Sequence, residues 1–100
     1  MSLKIMSIAS GSRGNCTYIS SETTHILVDA GVNLKRISDA LKTIGVGITD
    51  LSGVVVTHEH EDHISGLLAL ANAGVKVYAH ERVMPHIARR TGPIPFESVD

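Results

Sequence analysis

The sequence predicts an α/β (α+β) fold in which a mixed β-sheet is flanked by helices. Short apolar runs of strand length alternate with segments in which Leu and Ile recur at helical spacing. The apolar content, 43% of 100 residues, comes mainly from Ile, Leu, Val and Ala, with three aromatic residues and no Trp. An aliphatic core of this kind is typical of parallel or mixed strands packed beneath helices.

The first three predicted elements are strands at 4–9, 16–20 and 24–29, which form a meander. Gly11 and Gly14 lie in the turn between the first two strands, where glycine permits a positive φ. Their spacing matches neither the dinucleotide-binding fingerprint nor the phosphate-binding P-loop, and no lysine follows in the required place. A nucleotide-binding loop is therefore not predicted.

A helix is predicted after the meander, followed by a buried strand at 54–56. Asn33 is the expected N-cap of the helix and Gly45 its end. The apolar residues at helical spacing are Leu34, Ile37, Leu41 and Ile44. This helix is expected to cover one face of the sheet.

The rest of the sequence predicts a second helix at 64–73, a strand at 75–79 and a third helix at 81–90. Pro85 is expected to kink the last helix or delay its start, because proline lacks the N–H donor and crowds the preceding turn. Regular structure is expected to end at 92–95, which contains a glycine and two prolines.

Three histidines and an aspartate closely follow the strand at 54–56: His58, His60, Asp62 and His63. Alternate residues of an extended chain share a face, so His58, His60 and Asp62 can point together. A turn into the following helix is needed to bring in His63. Neutral imidazoles and a carboxylate suit zinc, and a catalytic zinc site has about three protein ligands and one open position. Four such groups predict two neighbouring metals, one held by His58 and His60 and the other by Asp62 and His63.

Less specialised interpretations exist for some of these residues. The histidine-rich loop could be a solvated polar connection, although its clustering beside a buried strand argues against that. Glu59 and Glu61 fall at the alternating positions and are expected to face away from the metals. Cys16 could be a nucleophile, but a lone cysteine is more often a small buried hydrophobic residue.

The remaining histidines are weaker candidates. His80 follows a predicted strand end, where active-site groups gather in such sheets. It could support a ligand, contact substrate or provide an extra metal ligand. His25 and His86 are expected to lie on the surface.

The order His58-x-His60-x-Asp62-His63 after a Val-rich strand resembles the signature of the metallo-β-lactamase-fold hydrolases. The turn Ser10-Gly11-Ser12-Arg13-Gly14-Asn15 is similar to that of the YycJ/WalJ-type branch, and Asp29 matches an aspartate that supports the metal loop without binding metal. The resemblance covers residues 6 to about 79. It implies an αββα sandwich that later residues would complete. Residues 1–100 are therefore predicted to be the N-terminal half of a single metallo-β-lactamase-like domain, apparently truncated.

The resemblance also implies a function. It implies a metal-dependent hydrolase, above all a phosphodiesterase or nuclease, that uses a metal-activated water and two divalent metal ions. Zinc is the expected metal, with manganese or iron as options, and Asp62 belongs to the catalytic centre as well as to the ligand set. A glyoxalase-II-like thioester hydrolase and an iron-dependent sulfur oxygenase share the ligand loop and stay open. His60 disfavours the flavodiiron branch, and a half-domain without activity is the third alternative.

Charge and composition bear on partners and location. The net charge of −1 and the absence of a basic run give no electrostatic footprint for nucleic acid, so a nucleic acid or phosphodiester substrate rests on the resemblance. No apolar segment approaches the roughly 20 residues needed to cross a bilayer. One cysteine forms no internal disulfide, and a cytoplasmic protein is expected. Half of a sandwich would expose apolar sheet surface, which predicts a homo-oligomer.

Overall fold

The computed structural model describes residues 3–11, 14–58 and 64–99. These residues form a mixed sheet whose strand order is the same as their order in the sequence. The strands are β1 (Lys4–Ala9), β2 (Cys16–Ser20), β3 (His25–Val28), β4 (Gly53–Val56), β5 (Val77–Ala79) and β6 (Glu97–Ser98). The helices are α1 (Leu34–Lys42), α2 (Leu67–Asn72) and α3 (Met84–Thr91), with a 3₁₀ turn at Ile48–Asp50 before β4. The predicted α/β class with flanking helices is confirmed.

Strands β1 to β3 form the predicted antiparallel meander, and β3 to β6 run parallel to one another. Each parallel pair is joined through a helix, and the strands are added in one direction across the sheet. Such crossovers are almost always right-handed, so three successive ones in one direction place all three helices on the same face. Among the described residues, the topology therefore leaves the other face without a helical layer.

Burial agrees with this arrangement. Cross-strand partners lie on the same face, and one such row contains Tyr18, Leu27, Val54 and Val77, all nearly inaccessible to solvent. They share a core with Ile37 and Leu41 of α1, Leu67 and Leu70 of α2, and Met84 and Ile87 of α3. The opposite face carries the row Ile5, Ile19 and Ile26, of which Ile5 is 70% exposed and the other two are half-buried. The uncovered face is thus apolar.

Helix α1 begins as predicted. The side-chain oxygen of Asn33 accepts a hydrogen bond from the N–H of Arg36 at 2.9 Å, which satisfies a donor of the first turn. Gly45 follows the helix with φ of 75°, and the N–H of Val46 donates to the carbonyl of Leu41. The prediction that Ile44 lies in this helix is wrong: α1 ends at Lys42, and Ile44 is 45% exposed.

Helix α2 begins at Leu67, later than the predicted 64. Gly66 is the reason, because its N–H donates to the carbonyl of Ala30 at 2.7 Å instead of joining a helical turn. A Cβ at Gly66 would lie 2.1 Å from the carbonyl oxygen of Val32, so only glycine fits there without displacing backbone. This close approach fastens the start of α2 to the loop that follows β3.

Helix α3 begins at Met84, so Pro85 lies in its first turn and delays its start, as predicted. The expectation that regular structure ends at 92–95 is wrong, because Glu97–Ser98 pairs with β5 as a short parallel strand. The described residues contain no helix that is both long and apolar enough to span a membrane.

Candidate metal centre at the carboxyl edge of the sheet

The parallel strands bring several polar residues to one edge of the sheet. Asp29 follows β3, Thr57 and His58 follow β4, and His80 follows β5. The pairing of Val56 with Ala79 places the ends of β4 and β5 side by side. In α/β proteins with parallel strands, functional residues commonly lie at the carboxyl ends of the strands.

Asp29 fastens the chain that leaves β4. Its φ of 64° is in the left-handed region, which aspartate tolerates better than most residues, and its side chain is buried. The N–H of Asp29 donates to the carbonyl of Val55 at 2.7 Å. Its carboxylate accepts two hydrogen bonds from Thr57, from the backbone N–H at 2.8 Å and from the hydroxyl Oγ1 at 2.7 Å.

The two hydrogen bonds from Thr57 to Asp29, here called the clamp, determine which ring nitrogen of the next residue, His58, carries the proton. The Thr57 hydroxyl has one proton, and it points to Asp29, so the 2.9 Å contact between Thr57 Oγ1 and His58 Nδ1 has Nδ1–H as its donor. A neutral imidazole protonated at Nδ1 carries its lone pair on Nε2, which is the atom that can then bind a metal ion. Thr57 was not predicted to be a functional residue, and its position directly before the first histidine was the available signal.

The other predicted ligands, His60, Asp62 and His63, lie outside the described residues, as do Glu59 and Glu61. Within the described ranges, no group of three histidine, cysteine, aspartate or glutamate side chains lies close enough together to hold a metal ion. The donor chemistry of His58 fits a divalent metal, and the assignment of the remaining ligands stays a prediction.

Cys16 lies at the same end of the sheet but is unsuited to act as a nucleophile. Its side chain is completely buried. Burial and, to a smaller extent, the nearby Asp29 carboxylate raise the pKa of the Cys16 thiol to about 12. The thiol therefore stays protonated at neutral pH, and the thiolate that nucleophilic attack requires is not formed.

The turn between β1 and β2 lies at this edge too, because Ala9 pairs with Cys16. The side chain of Asn15 bonds both backbone groups of Gly11, accepting from its N–H at 3.3 Å and donating to its carbonyl at 3.1 Å. A Cβ at Gly14 would lie 2.5 Å from the carbonyl oxygen of Gly31, so the turn packs closely on the loop after β3. The turn and the Asp29 segment therefore support each other.

The remaining histidines differ from one another. His80 is partly buried, and its Nδ1 accepts a hydrogen bond from the N–H of Arg82 at 3.0 Å. The expectation that His25 lies on the surface is wrong: it is half-buried, and its Nδ1 is 2.6 Å from the hydroxyl of the buried Tyr18. A buried phenol requires a partner, and the neighbouring strand supplies this one. His86 is exposed, as expected.

Comparison with known proteins identifies relatives of this chain. The profile described as "Metallo-beta-lactamase superfamily" matches residues 9–99. The chain is 41% identical over 98 residues to a Bacillus anthracis protein named "Exodeoxyribonuclease YycJ" and covers 97% of its own length and 37% of that protein. It is 42% identical over 76 residues to "Exodeoxyribonuclease WalJ" of Streptococcus pneumoniae, covering 75% of itself and 28% of the relative. The chain thus spans about a third of the length of these relatives, and its resemblance to the YycJ/WalJ-type branch is confirmed.

Solved structures agree on the fold. A metallo-beta-lactamase of Cronobacter sakazakii superposes with a TM-score of 0.75 at 21% identity, covering 95% of this chain and 40% of that one. At that identity the likeness establishes the fold alone, and it confirms the predicted metallo-β-lactamase fold.

Proposed function

Because the chain belongs to the metallo-beta-lactamase superfamily, we propose that it forms part of a metal-dependent hydrolase that cleaves phosphodiester bonds in DNA. The observation that carries the proposal is the pair of hydrogen bonds from Thr57 to Asp29, which makes Nδ1–H the donor of His58 and so puts the metal-binding lone pair of its ring on Nε2. The choice of DNA is supported by the two relatives whose names describe exodeoxyribonucleases.

We propose His58, His60, Asp62 and His63 as the ligands of two divalent metal ions, with zinc as the metal. The residues fit the group in their chemistry, since imidazole nitrogens and a carboxylate are ligands of zinc. Divalent metal ions, when bound at such a site, activate water as a nucleophile and stabilise negative charge on a phosphoryl oxygen.

The chain's own residues prepare this site. Asp29 orients the loop from a buried position, and its two bonds to Thr57 hold the backbone at the point where the loop leaves β4. The Thr57 hydroxyl also accepts the Nδ1–H of His58, and this hydrogen bond determines which ring nitrogen of His58 carries the proton. Residues that orient ligands in this way typically contribute about 10- to 100-fold to metal affinity or activity.

We further propose that residues 1–100 are the N-terminal part of one domain and that other residues of that domain cover the bare sheet face. Large exposed apolar patches normally mark surfaces that another part of the protein or a partner covers, and one face here leaves Ile5 70% exposed and Ile19 and Ile26 half-buried. The share of each relative that the chain spans, 37% and 28%, supports the same proposal. Isolated, the chain would self-associate through this face as a homo-oligomer.

Two measurements test the function. Elemental mass spectrometry on the complete gene product should find about two divalent metals per chain, as the ligand set of a two-metal site requires. Labelled DNA should be degraded by the wild type and not by His58→Ala, whereas His86→Ala, which removes an exposed histidine from α3, should retain activity. Thioester hydrolysis without DNA cleavage by the metal-loaded protein would contradict the proposed substrate, and loss of DNA cleavage in both variants would contradict the proposed site.

A further inference from the structure

We propose that His80 binds substrate by donating a hydrogen bond from Nε2–H to a phosphoryl oxygen. The inference rests on the proposed function and adds a substrate-binding residue to the same site. It follows from where the fold places His80 and from the hydrogen bond at the other nitrogen of its ring.

The fold places His80 beside Thr57, on the side of β4 opposite Asp29. Strand β4 lies between β3 and β5, so the segment that begins with Thr57 emerges between the residues that follow those two strands. Val56 and Ala79 are partners, and neighbouring strands lie about 4.8 Å apart. His80 therefore follows β5 directly beside Thr57, at the carboxyl ends of the parallel strands.

The hydrogen bond at Nδ1 determines what the ring can offer. The backbone N–H of Arg82 donates to Nδ1 of His80 at 3.0 Å, so Nδ1 is the acceptor and the proton of the neutral ring is on Nε2. The N–H of Val83 donates to the carbonyl of His80 at 2.9 Å, which further holds the turn. His80 therefore presents a fixed N–H donor.

His58 and His80 have opposite arrangements. In His58 the Nδ1–H donates to Thr57, so Nε2 carries the lone pair that a metal requires. In His80 the Nδ1 accepts, so Nε2 carries a proton and is unsuited to bind a metal in this conformation. A donor at this edge suits an anionic oxygen, and we therefore assign His80 to substrate binding and not to the metal ligands.

The simplest competing role for His80 is to cap the turn that precedes α3. An asparagine at this position separates the two roles. Its side-chain oxygen can accept the N–H two residues along the chain, as in an Asx-turn, which preserves the cap. It does not provide the Nε2–H at its original position. His80→Ala removes both the cap and the donor.

The experiment uses the full-length gene product, with dissociation constants measured by fluorescence anisotropy on a cleavage-resistant phosphorothioate oligonucleotide. His80→Asn should raise both that Kd and the KM for DNA about tenfold, because one bond to a charged oxygen is lost. Its kcat should stay within about twofold, since the contact is already present in the ground state. The melting temperature should match that of the wild type, and His86→Asn should change neither Kd nor KM.

The possible outcomes are distinct. An unchanged Kd and KM in His80→Asn would overturn the inference, as would a loss of affinity only in His80→Ala that parallels a loss of stability. A wild type that binds the oligonucleotide but does not cleave DNA would refute the proposed function, while the Kd of His80→Asn would still decide the role of His80. A wild type that neither binds nor cleaves would refute both.

Discussion

Replacing Asp29 with asparagine tests whether one buried carboxylate determines the metal-binding state of His58. Asparagine tolerates a φ of 64°, and its amide oxygen can keep the bond from the Thr57 N–H. Its NH₂ group then faces Thr57 Oγ1 and cannot accept the hydroxyl proton. That proton turns to Nδ1 of His58, which moves the ring proton to Nε2 and removes the lone pair a metal requires.

The expected magnitude follows from the bond that is lost. A hydrogen bond to a charged group contributes about 1.5–3 kcal/mol. At about 1.4 kcal/mol per tenfold, this corresponds to a roughly 10- to 100-fold change in binding. The same range is typical when a residue that orients a metal ligand is removed. We therefore expect the apparent zinc affinity of Asp29→Asn to be about 10- to 100-fold weaker than that of the wild type.

The assay is competition for zinc with a chromophoric chelator, and Asp39→Asn is the matched control. Asp39 undergoes the same change of charge but lies on the exposed side of α1, where its carboxylate is 3.2 Å from Lys35. Zinc binding by Asp29→Asn within about twofold of the wild type would refute the reasoning, because the lost bond predicts at least tenfold. Equal weakening in the control would assign the effect to net charge rather than to the clamp.

Three further predictions concern stability and can be measured by urea denaturation. Gly66→Ala should lower the free energy of unfolding by about 1–3 kcal/mol through overpacking, and Gly47→Ala, whose Cβ would meet its nearest atom at an ordinary 3.5 Å, should cost less. Tyr18→Phe should cost about 1 kcal/mol, because it leaves Nδ1 of His25 without this hydroxyl. Burial raises the pKa of the Cys16 thiol from 9.0 to about 12. The buried, protonated thiol therefore stabilises the folded state fully below pH 9, and this stabilisation is lost as pH rises toward 12. Cys16→Ala should flatten that decline, and an equal decline in both proteins would contradict the assignment.

Local signals predicted much of the fold. Asn33 was recognised as a cap and Pro85 as a helix delay because each acts on backbone groups within one helical turn. The meander followed from strand-length apolar runs joined by short turns. The start of α2 was missed because it depends on Gly66 meeting the loop after β3, a contact between segments that are distant in sequence.

The candidate site divides in a similar way. The histidine cluster was visible from spacing, whereas the support by Asp29 came from a family resemblance and not from any local pattern. Thr57 acquires its significance only when the parallel pairing of β3 and β4 brings it to Asp29. Strand β6 was missed because two residues after a proline-rich stretch carry no periodic signal, and their pairing with β5 defines them.

The agreement between strand order and sequence order has a consequence for synthesis on the ribosome. Chains emerge at about 5–20 residues per second, so β4 and β5 appear seconds apart. Elementary pairing events such as hairpin formation take about 1–10 μs. Each new strand therefore pairs with the strand translated just before it, which has already left the ribosome. The sheet of β1 to β6 can thus form one strand at a time, without waiting for a partner that has yet to be translated.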